Sequence, residues 1–440
     1  MEFSTLNLKK QEDIRFLNIA TLIVKVTHRC NLDCAYCYEN ITKTGQDMSL
    51  NTFQDLADKV LLNSRQKEIL FLFHGGEPSL ISNDWYEQAI HYALTLAKKV
   101  GKTAIFSMQS NLLFLNPSKI ALYKKYNIHL GISLDGTENH GTMRGGENKV
   151  FQNYLKGIEA GLRIGILTTI NQANFDKFDQ ICEFIHLKTS SKSFKANVVS
   201  PVGRGLELPS LKAEQVFMAQ SSILQYMIKT KGEFIEDNLR TEIIRFFATE
   251  DERKNMPSTL CHEKQCGAGT TVLGVTPQGD LLPCGRFQWN DDSYFLGYLQ
   301  TPDRSKAEKG FQKKLEQFHA LVPENWYDCD NCAAKKICGF GCQAFIVRSK
   351  TKANVDCLPT KMKYRFFQEN KDKLKIVYEK ITTPQRHDLN FRIKGENGMI
   401  KTYKFPLPKK TTLEKEKNSF FDKIKKALLQ YRKAFFIFIV

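Results

Sequence analysis

Six short apolar runs, each followed by a stretch of helical period, constrain the fold of this chain more than any other feature. The runs are rich in β-branched and aromatic residues, and the stretches between them place apolar side chains on one helical face, such as Phe53 with Leu56 and Phe151 with Leu155 and Ile158. Repeated strand–helix units form parallel sheets with right-handed crossovers, and function then lies at the carboxyl ends of the strands. We therefore expect an α/β fold with a partial (β/α)6 barrel. The strand candidates are LIVKV from Leu22, EILFLF from Glu68, TAIFSM from Thr103, IHLGIS from Ile128, IGILTTI from Ile164 and FKANVV from Phe194.

Length and composition exclude several classes of protein. The chain has 440 residues, of which 42% are apolar, so it can bury a large core and is neither disordered nor a mini-protein. Its charged start lacks the apolar region of a signal peptide, and no apolar run reaches the roughly 20 residues of a transmembrane helix. We therefore expect a cytoplasmic protein. Its twelve cysteines then indicate metal binding or redox chemistry rather than disulfides.

Changes in residue pattern and composition along the sequence predict three parts, at residues 1–235, 236–360 and 361–440. The strand–helix pattern fills the first, and the second is rich in turns and closely spaced cysteines. In the third, LNFRIKGENGMIKTYKFPL from Leu389 has two alternating runs around a turn and predicts a β-hairpin. An amphipathic helix is expected from Leu413. Residues 401–440 carry 11 basic and 3 acidic side chains, so this tail supplies +8 of the net charge of +17.

The first cysteine group directly follows the first strand candidate. Cys30, Cys34 and Cys37 form a CxxxCxxC pattern. Three thiolates can hold three corners of a 4Fe–4S cluster and leave the fourth iron open to a ligand that is to be transformed. The alternative is a structural zinc site that lacks its fourth ligand.

The pattern CxxxCxxC with Tyr36 before the last cysteine, followed after the second strand by FHGGEPSL, resembles the radical S-adenosylmethionine (SAM) superfamily. The resemblance implies that SAM binds the open iron and is cleaved to a 5′-deoxyadenosyl radical. It also implies that Gly75, Gly76, Glu77 and Pro78 meet the amino group of SAM. Independently, glycines at a strand end permit close approach of a ligand, and a carboxylate suits an ammonium group.

Polar residues follow the next two strands as well. Ser110 and Asn111 come after the third strand, and Ser133, Asp135 and Arg144 lie at and beyond the fourth. By the same resemblance these residues contact the ribose and the carboxylate of SAM. The alternatives are a turn at SLDG, a helix cap at Asn111 and a surface position for Arg144.

Eight further cysteines lie in the second part of the chain, and their CxxC and CxxxC spacings also occur in zinc ribbons. The complete arrangement, with Gly279 five residues before Cys284, resembles the SPASM extension of radical SAM enzymes. The resemblance implies two closed auxiliary 4Fe–4S clusters and hence three clusters in all. One auxiliary cluster would be held by Cys261, Cys266, Cys284 and Cys342, and the other by Cys329, Cys332, Cys338 and Cys357.

The twelfth cysteine, Cys182, belongs to none of these groups. It lies in FDQICEFI, where Phe178, Ile181 and Ile185 share one helical face. This pattern predicts a thiol buried in the core.

The resemblance implies a radical SAM/SPASM maturase that oxidises or crosslinks a peptide or protein. The alternatives are an anaerobic sulfatase-maturating enzyme, a peptide epimerase and, in another class, a zinc-binding interaction protein. In sulfatase-maturating enzymes an aspartate follows the third SPASM cysteine, whereas here Gly285 and Arg286 follow Cys284, which weakens that alternative. No base is assigned, and His74, Glu138 and Arg286 are candidates by position only.

The expected partners follow from this function. Only 29 residues precede Cys30, too few for the leader-binding domain of many peptide maturases, so we expect a separate leader-binding protein or a role for the C-terminal region. An electron donor such as flavodoxin or ferredoxin is required. Nucleic acid is not expected despite the net charge, because no aromatic–basic motif stands out. The tail, which ends in FFIFIV, is a candidate for peripheral membrane contact.

Overall fold

The computed structural model describes residues 12–39, 41–189, 191–199, 201–254, 266–288, 294–320, 329–348, 354–382, 391–394 and 400–403. Within these ranges the strands are β1 Thr21–Thr27, β2 Glu68–Gly75, β3 Thr103–Ser110, β4 His129–Ser133, β5 Ile164–Ile170, β6 Ser193–Val198, β7 Ile235–Glu236, β8 Val272–Val275, β9 Asp280–Leu282, β10 Gly297–Tyr298, β11 Phe391–Lys394 and β12 Ile400–Tyr403.

The α-helices in the same ranges are α1 Leu50–Asn63, α2 Asn83–Lys99, α3 Pro117–Lys125, α4 Glu147–Glu159, α5 Phe178–Lys188, α6 Ala213–Lys229, α7 Asp237–Phe247, α8 Glu250–Lys254, α9 Arg304–His319, α10 Gln343–Arg348, α11 Cys357–Glu369 and α12 Lys371–Thr382. Turns of 3-10 helix occupy Ile14–Phe16, Pro78–Leu80, Glu138–His140, Gly203–Leu206 and Ala333–Lys336.

A ten-stranded sheet organises the described part of the chain, in the order β10–β9–β8–β1–β2–β3–β4–β5–β6–β7. Strands β1 to β6 are parallel and follow one another in chain order. One of the helices α1 to α6 follows each of these strands. The expected α/β fold with six strand–helix units is therefore confirmed. The described strands leave the sheet open, with β10 and β7 at its edges.

The cysteine-rich region continues this sheet. β8 pairs in parallel with β1, with Thr21 opposite Val272 and Val24 opposite Val275. β9 pairs antiparallel with β8, and β10 with β9. β1 thus has a partner on both sides, and all seven of its residues are buried.

The predicted core face of α4 is wrong. Leu155 and Ile158 are 38% and 41% exposed, whereas Tyr154 and Asn153 face the core. The Asn153 amide donates to the carbonyl oxygen of Leu112 at 2.9 Å. A buried asparagine with a satisfied amide carries no hydrophobic signal, so the apolar period alone misplaces the face.

The hairpin predicted from Leu389 is confirmed by the antiparallel pairing of β11 with β12. The helix expected from Leu413 lies outside the described residues. No helix among the described residues is long and apolar enough to cross a membrane.

Candidate active site

A cavity opens at the carboxyl ends of the parallel strands and encloses about 910 Å³ of empty space, part of it open to solvent. Cys30, Cys34 and Cys37, on the loop after β1, all line it. Pro78 and Asp135 lie outside its lining. The other residues assigned to SAM in its wall are Tyr36, Gly75, Gly76, Glu77, Ser110, Asn111, Ser133 and Arg144, and the base candidates His74 and Arg286 also line it.

Gly75 and Gly76 let the end of β2 pack against the backbone of the cysteine loop. A Cβ atom on Gly76 would lie 2.1 Å from the carbonyl oxygen of Arg29, and one on Gly75 would lie 2.4 Å from that of Thr27. The amide of Gly76 donates to the Thr27 carbonyl at 2.8 Å, and that of Glu77 to the Arg29 carbonyl at 2.7 Å. The glycines therefore admit the neighbouring backbone, a reason that the sequence alone did not reveal.

Glu77 joins the end of β2 to the end of β3. It is 1% exposed. Its Oε1 accepts hydrogen bonds from the Ser110 hydroxyl at 2.8 Å and the Ser79 amide at 2.9 Å, and its Oε2 accepts one from the Asn111 amide at 2.7 Å. Three residues that the sequence singled out, Glu77, Ser110 and Asn111, thus form one hydrogen-bonded group.

The Asn111 side chain faces the cysteine loop. Its Nδ2 donates to Asn31 Oδ1 at 2.7 Å and lies 3.9 Å from the Cys30 sulfur. The cap of the next helix, α3, is Asn116. The alternative reading of Asn111 as a helix cap is therefore wrong.

Asp135, which lies outside the cavity lining, positions Tyr36 through a hydrogen bond. The Tyr36 hydroxyl donates to the Asp135 carboxylate, which also accepts from the Thr169 amide at 2.8 Å. Arg144 Nη1 donates to the Tyr36 oxygen at 3.2 Å. Burial raises the pKa of Asp135, an effect that the Arg144 charge opposes. Arg144 is thus part of the cavity wall, whereas Asp135 supports that wall.

Sequence reasoning missed five polar wall residues: Tyr38 and Glu39 on the cysteine loop, and three on strands, which are Gln109 near the end of β3, Thr169 in β5 and Asn197 in β6. Gln109 Nε2 donates to the Ser133 hydroxyl at 3.1 Å. The three strand residues lie near the carboxyl ends of otherwise apolar strands. That position is the signal that could have identified them.

A buried ion pair lies beside the cysteine loop. Lys25 of β1 is fully buried, and its Nζ lies 2.9 Å and 2.8 Å from the two carboxylate oxygens of Glu39. The same Nζ donates to the carbonyl oxygen of Phe287 at 2.5 Å. β1, the cysteine loop and the cysteine-rich region therefore meet at one ammonium group.

His74 is neutral near pH 7, since burial and the charges of Lys25 and Arg286 lower its pKa to about 3. Its Nδ1 accepts a hydrogen bond from the Gly75 amide at 2.7 Å, which places its proton on Nε2, 3.2 Å from the Tyr38 hydroxyl. A histidine in this state is a weak base.

The other two base candidates are placed differently. Glu138 is exposed and accepts a hydrogen bond from Asn148 at 3.0 Å, away from the cavity. Arg286 does line the cavity, but its guanidinium is a cation that cannot take up a proton. None of the three positional candidates is a well-placed base.

A second cavity, of about 1330 Å³, adjoins the first and shares Asn197, Val198 and Arg286 with it. Its walls come from β6, the start of α7, and the region of α10 and α11. The Arg286 guanidinium lies 4.4 Å from the ring centroid of Phe345, a cation–π contact that fixes it at the junction. The two cavities thus meet at Asn197, Val198 and Arg286, and the second lies between the sheet and the cysteine-rich region.

Three of the four cysteines assigned to the first auxiliary cluster belong to or border one apolar cluster. Cys342 is buried with Phe287 and Phe318, and Cys266 and Cys284 pack against the same apolar cluster. Cys261 lies outside the described residues.

The four cysteines assigned to the second auxiliary cluster, Cys329, Cys332, Cys338 and Cys357, are all described. Burial raises the pKa of Cys338 to about 11, and the nearby Cys357 adds to this effect. Within the described ranges, no group of three or more His, Cys, Asp or Glu side chains converges on a single metal-ion position.

The cysteine loop and the ends of the first five strands fall within a single match to a known protein family. Residues 24–185, from β1 to α5, match the radical SAM superfamily. This chain carries a radical SAM domain. The domain contains the CxxxCxxC loop, the GGEP segment and the carboxyl ends of β1 to β5.

Curated proteins similar to this chain include a sulfatase-maturating enzyme and a bacteriocin biosynthesis protein. The chain is 25% identical to the cysteine-type anaerobic sulfatase-maturating enzyme of Clostridium novyi over 396 residues. This match covers 82% of this chain and 97% of that enzyme. The chain is 26% identical over 274 residues to AlbA, the antilisterial bacteriocin subtilosin biosynthesis protein of Bacillus subtilis, over 60% of this chain and 54% of that protein.

The solved structure of native anSMEcpe with bound AdoMet and Cp18Cys peptide has the same fold. Its TM-score is 0.68 at 18% identity, over 82% of this chain and 99% of that one. The fold of this chain is therefore shared with that structure over 82% of its length.

The three cysteines of the radical SAM domain fit a cluster that binds through three thiolates. Burial raises the pKa of each, and that of Cys37 reaches about 12. A positively charged iron–sulfur core is the kind of partner that holds such thiols as thiolates. Cys182, by contrast, is fully buried on α5 in the main core, as predicted.

Proposed function

We propose that this protein reductively cleaves SAM and uses the 5′-deoxyadenosyl radical to remove a hydrogen atom from a peptide or protein, which is then oxidised or crosslinked. One observation carries the proposal: the three cysteines of the CxxxCxxC loop share one cavity with Glu77, Asn111 and Arg144, and a second cavity adjoins it. The cluster supplies the electron that breaks the sulfonium bond.

The chain's own residues bind and orient SAM in this proposal. Cys30, Cys34 and Cys37 hold the cluster. Glu77, kept in place by donors from β3, would bind the SAM ammonium, whereas Arg144 would bind its carboxylate. The strand-end polar groups Gln109 and Ser133 suit the ribose hydroxyls.

The peptide is assigned to the second cavity, because that cavity adjoins the cysteine cavity at Asn197, Val198 and Arg286. Relatives and neighbours support a peptide substrate: AlbA is a bacteriocin biosynthesis protein, and anSMEcpe was solved with a bound peptide.

The eight cysteines of the cysteine-rich region would close two auxiliary clusters that collect the surplus electron. The packing of Cys266, Cys284 and Cys342 around one apolar cluster supports the first assignment. A flavodoxin or ferredoxin would deliver the initiating electron.

Formylglycine formation is the second candidate, because the sulfatase-maturating relative covers most of the chain. The residue after Cys284 is glycine, and a Cβ there would lie 2.7 Å from the Ile23 side chain. Arg286, next in the chain, is a cation at the cavity junction. We therefore favour oxidation or crosslinking that needs no carboxylate at this position. Epimerisation needs a hydrogen donor, and Cys182 is too deeply buried to be one.

The first experiment counts clusters and tests radical formation. Anaerobic loading with iron and sulfide should give about twelve iron and twelve sulfide per chain, and addition of SAM and dithionite should give 5′-deoxyadenosine. A zinc-binding interaction protein would instead stay colourless and hold zinc.

The control compares matched cysteine variants. Cys37→Ala should abolish 5′-deoxyadenosine, whereas Cys182→Ala should retain it, because Cys182 lies in the core away from the cavity. Intact clusters without 5′-deoxyadenosine in the unmodified chain would refute the proposed activity.

Mass spectrometry of a co-expressed peptide identifies the modification. A crosslink removes two hydrogens, and an epimer leaves the mass unchanged. Formylglycine formation from cysteine removes the sulfur and two hydrogens and adds one oxygen; from serine it removes two hydrogens, and fragmentation then separates a single oxidised side chain from a crosslink between two. Peptides encoded beside this gene are the first substrates to test.

A further inference from the structure

Two cysteine-bearing loops meet at Lys25, which the proposed chemistry does not use. The first loop contains Cys37 and, two residues later, Glu39. The second contains Cys284 and, three residues later, Phe287. Lys25 Nζ is bonded to both loops, at 2.9 Å and 2.8 Å to the Glu39 carboxylate and at 2.5 Å to the Phe287 carbonyl.

A second contact joins the same loops. Gln288 Nε2 donates to the backbone carbonyl of Tyr38 at 2.6 Å. Tyr38 and Cys284 also pack against one small apolar cluster formed by Ile23, Leu72 and Val272. The two loops therefore lie side by side, and both a hydrogen bond and apolar contacts join them.

The energetics of the Lys25 contact favour a positioning role over a stabilising one. A fully buried ammonium loses its hydration, and a buried ion pair recovers little more than that loss. Removal of one partner nevertheless leaves an uncompensated charge, so the pair strongly favours the one geometry that satisfies it. Here that geometry includes an acceptor from each loop.

We propose that Lys25 is a positioning residue that holds the Cys37 loop against the Cys284 loop at one fixed separation. The inference deepens the proposed function, because under that function the two loops carry ligands of the SAM-binding cluster and of the first auxiliary cluster. The rate of electron transfer between two centres depends steeply on their separation. Lys25 would thus set how fast a surplus electron leaves the active site.

Hydrogen–deuterium exchange of the full-length protein, before and after loading with iron and sulfide, tests the positioning directly. In Lys25→Met, amides of residues 37–39 and 284–288 should exchange about tenfold faster before loading, the loss expected for one charge-assisted hydrogen bond. After loading and reduction, the microwave-power saturation of the SAM-binding cluster's electron paramagnetic resonance signal should also change, because it depends on the distance to a neighbouring cluster.

Arg15→Met is the matched control. Arg15 is 2% exposed, pairs with Asp13 at 2.8 Å and donates to the carbonyl of Tyr298 at 2.7 Å. It therefore also ties the core to the cysteine-rich region, but before β1 begins rather than beside the cysteine loop. Its substitution should speed exchange near Tyr298 and leave both cysteine-bearing loops protected.

A double variant separates positioning from folding. Lys25→Met with Glu39→Gln removes both buried charges, so it should unfold closer to the temperature of the unmodified protein than Glu39→Gln alone. It should still show fast exchange at 284–288, since the Phe287 carbonyl has lost its donor. Unchanged exchange of both loops in Lys25→Met and in the double variant would overturn the inference. Failure of the proposed function would instead appear as absence of 5′-deoxyadenosine in the unmodified chain, which the exchange measurement before loading does not involve.

Discussion

Gly76 shows how one missing side chain shapes the candidate site. Its Cα faces the carbonyl oxygen of Arg29, and a Cβ there would lie 2.1 Å from that oxygen. We predict that Gly76→Ala displaces the cysteine loop, because the obstruction is backbone and cannot rotate away. Iron after loading should fall from about twelve to about eight per chain, and 5′-deoxyadenosine should be lost.

Gly310→Ala is the control for this substitution. Gly310 lies in α9, and a Cβ there would have no atom within 4 Å. Alanine is the better helix former, so this variant should keep full iron loading and unfold at the same or a slightly higher temperature. Equal iron content in the two variants would contradict the assigned role of Gly76.

At the residue scale, the sequence was informative where chemistry needs a fixed spacing. The cysteines and the GGEP segment could be recognised because their intervals are local. The donors to Glu77 could not, because Ser110 and Asn111 reach it only when β2 and β3 pair. Lys25 within LIVKV reads as an outward-facing strand residue, and its partner Phe287 lies 262 positions away.

At the scale of single elements, Glu236 connects β6 to α7. Its carboxylate accepts hydrogen bonds from the Ala196 amide at 2.9 Å and, as the cap of α7, from the Leu239 amide at 2.7 Å. Burial raises its pKa to about 7, even though these two amides favour the charged form. The folded chain therefore holds this proton more tightly than the unfolded chain does.

We predict a corresponding pH dependence of stability. The contribution of protonated Glu236 is fully present below the unfolded pKa near 4.5 and is lost as pH rises through 7. Glu236→Gln mimics the protonated form, so between pH 4.5 and 7.5 its stability relative to the unmodified protein should rise, by about 3 kcal/mol at most. Thermal unfolding of both proteins across this range measures the difference.

Glu233→Gln provides the comparison. Glu233 is exposed and pairs with Lys380 at 2.8 Å, which lowers its pKa. Its stabilising effect is lost only as pH falls through that lowered pKa, so this variant should follow the unmodified protein between pH 5 and 7.5. If the stability of Glu236→Gln changed with pH in the same way as that of the unmodified protein, Glu236 would not take up a proton on folding.

Strand positions were predicted well because a parallel strand buried on both faces gives an unbroken apolar run. Helix faces were predicted less well. In α4 the core contact is made in part by Asn153, whose amide is satisfied by Leu112. A hydrophobic period cannot register a polar residue that is buried because its partner is a backbone carbonyl.

At the scale of the whole molecule, the sheet crosses the boundary that the sequence suggested between the first two parts. β8 covers the free edge of β1, the strand from which the cysteine loop emerges. We predict that a chain of residues 1–254, which lacks β8, exposes that edge and is recovered mainly as aggregate. Size-exclusion chromatography of the lysate supernatant measures the recovered fraction.

A chain of residues 1–382 is the matched truncation. It retains all ten strands of the main sheet and lacks β11, β12 and the basic tail. It should remain monodisperse and load the same amount of iron as the full chain. A soluble, monodisperse 1–254 product would show that β1 does not depend on β8.

The pairing of β8 with β1 also has a consequence for the time course of folding. Thr21 and Val272 are some 250 positions apart in the chain, so β1 leaves the ribosome long before its second neighbour is synthesised. Contacts of such long sequence separation form slowly, and an unpaired apolar strand edge is prone to intermolecular pairing while it waits. A nascent chain of this protein should therefore depend on chaperones until the cysteine-rich region emerges, and slowed translation before residue 272 should lower its soluble yield.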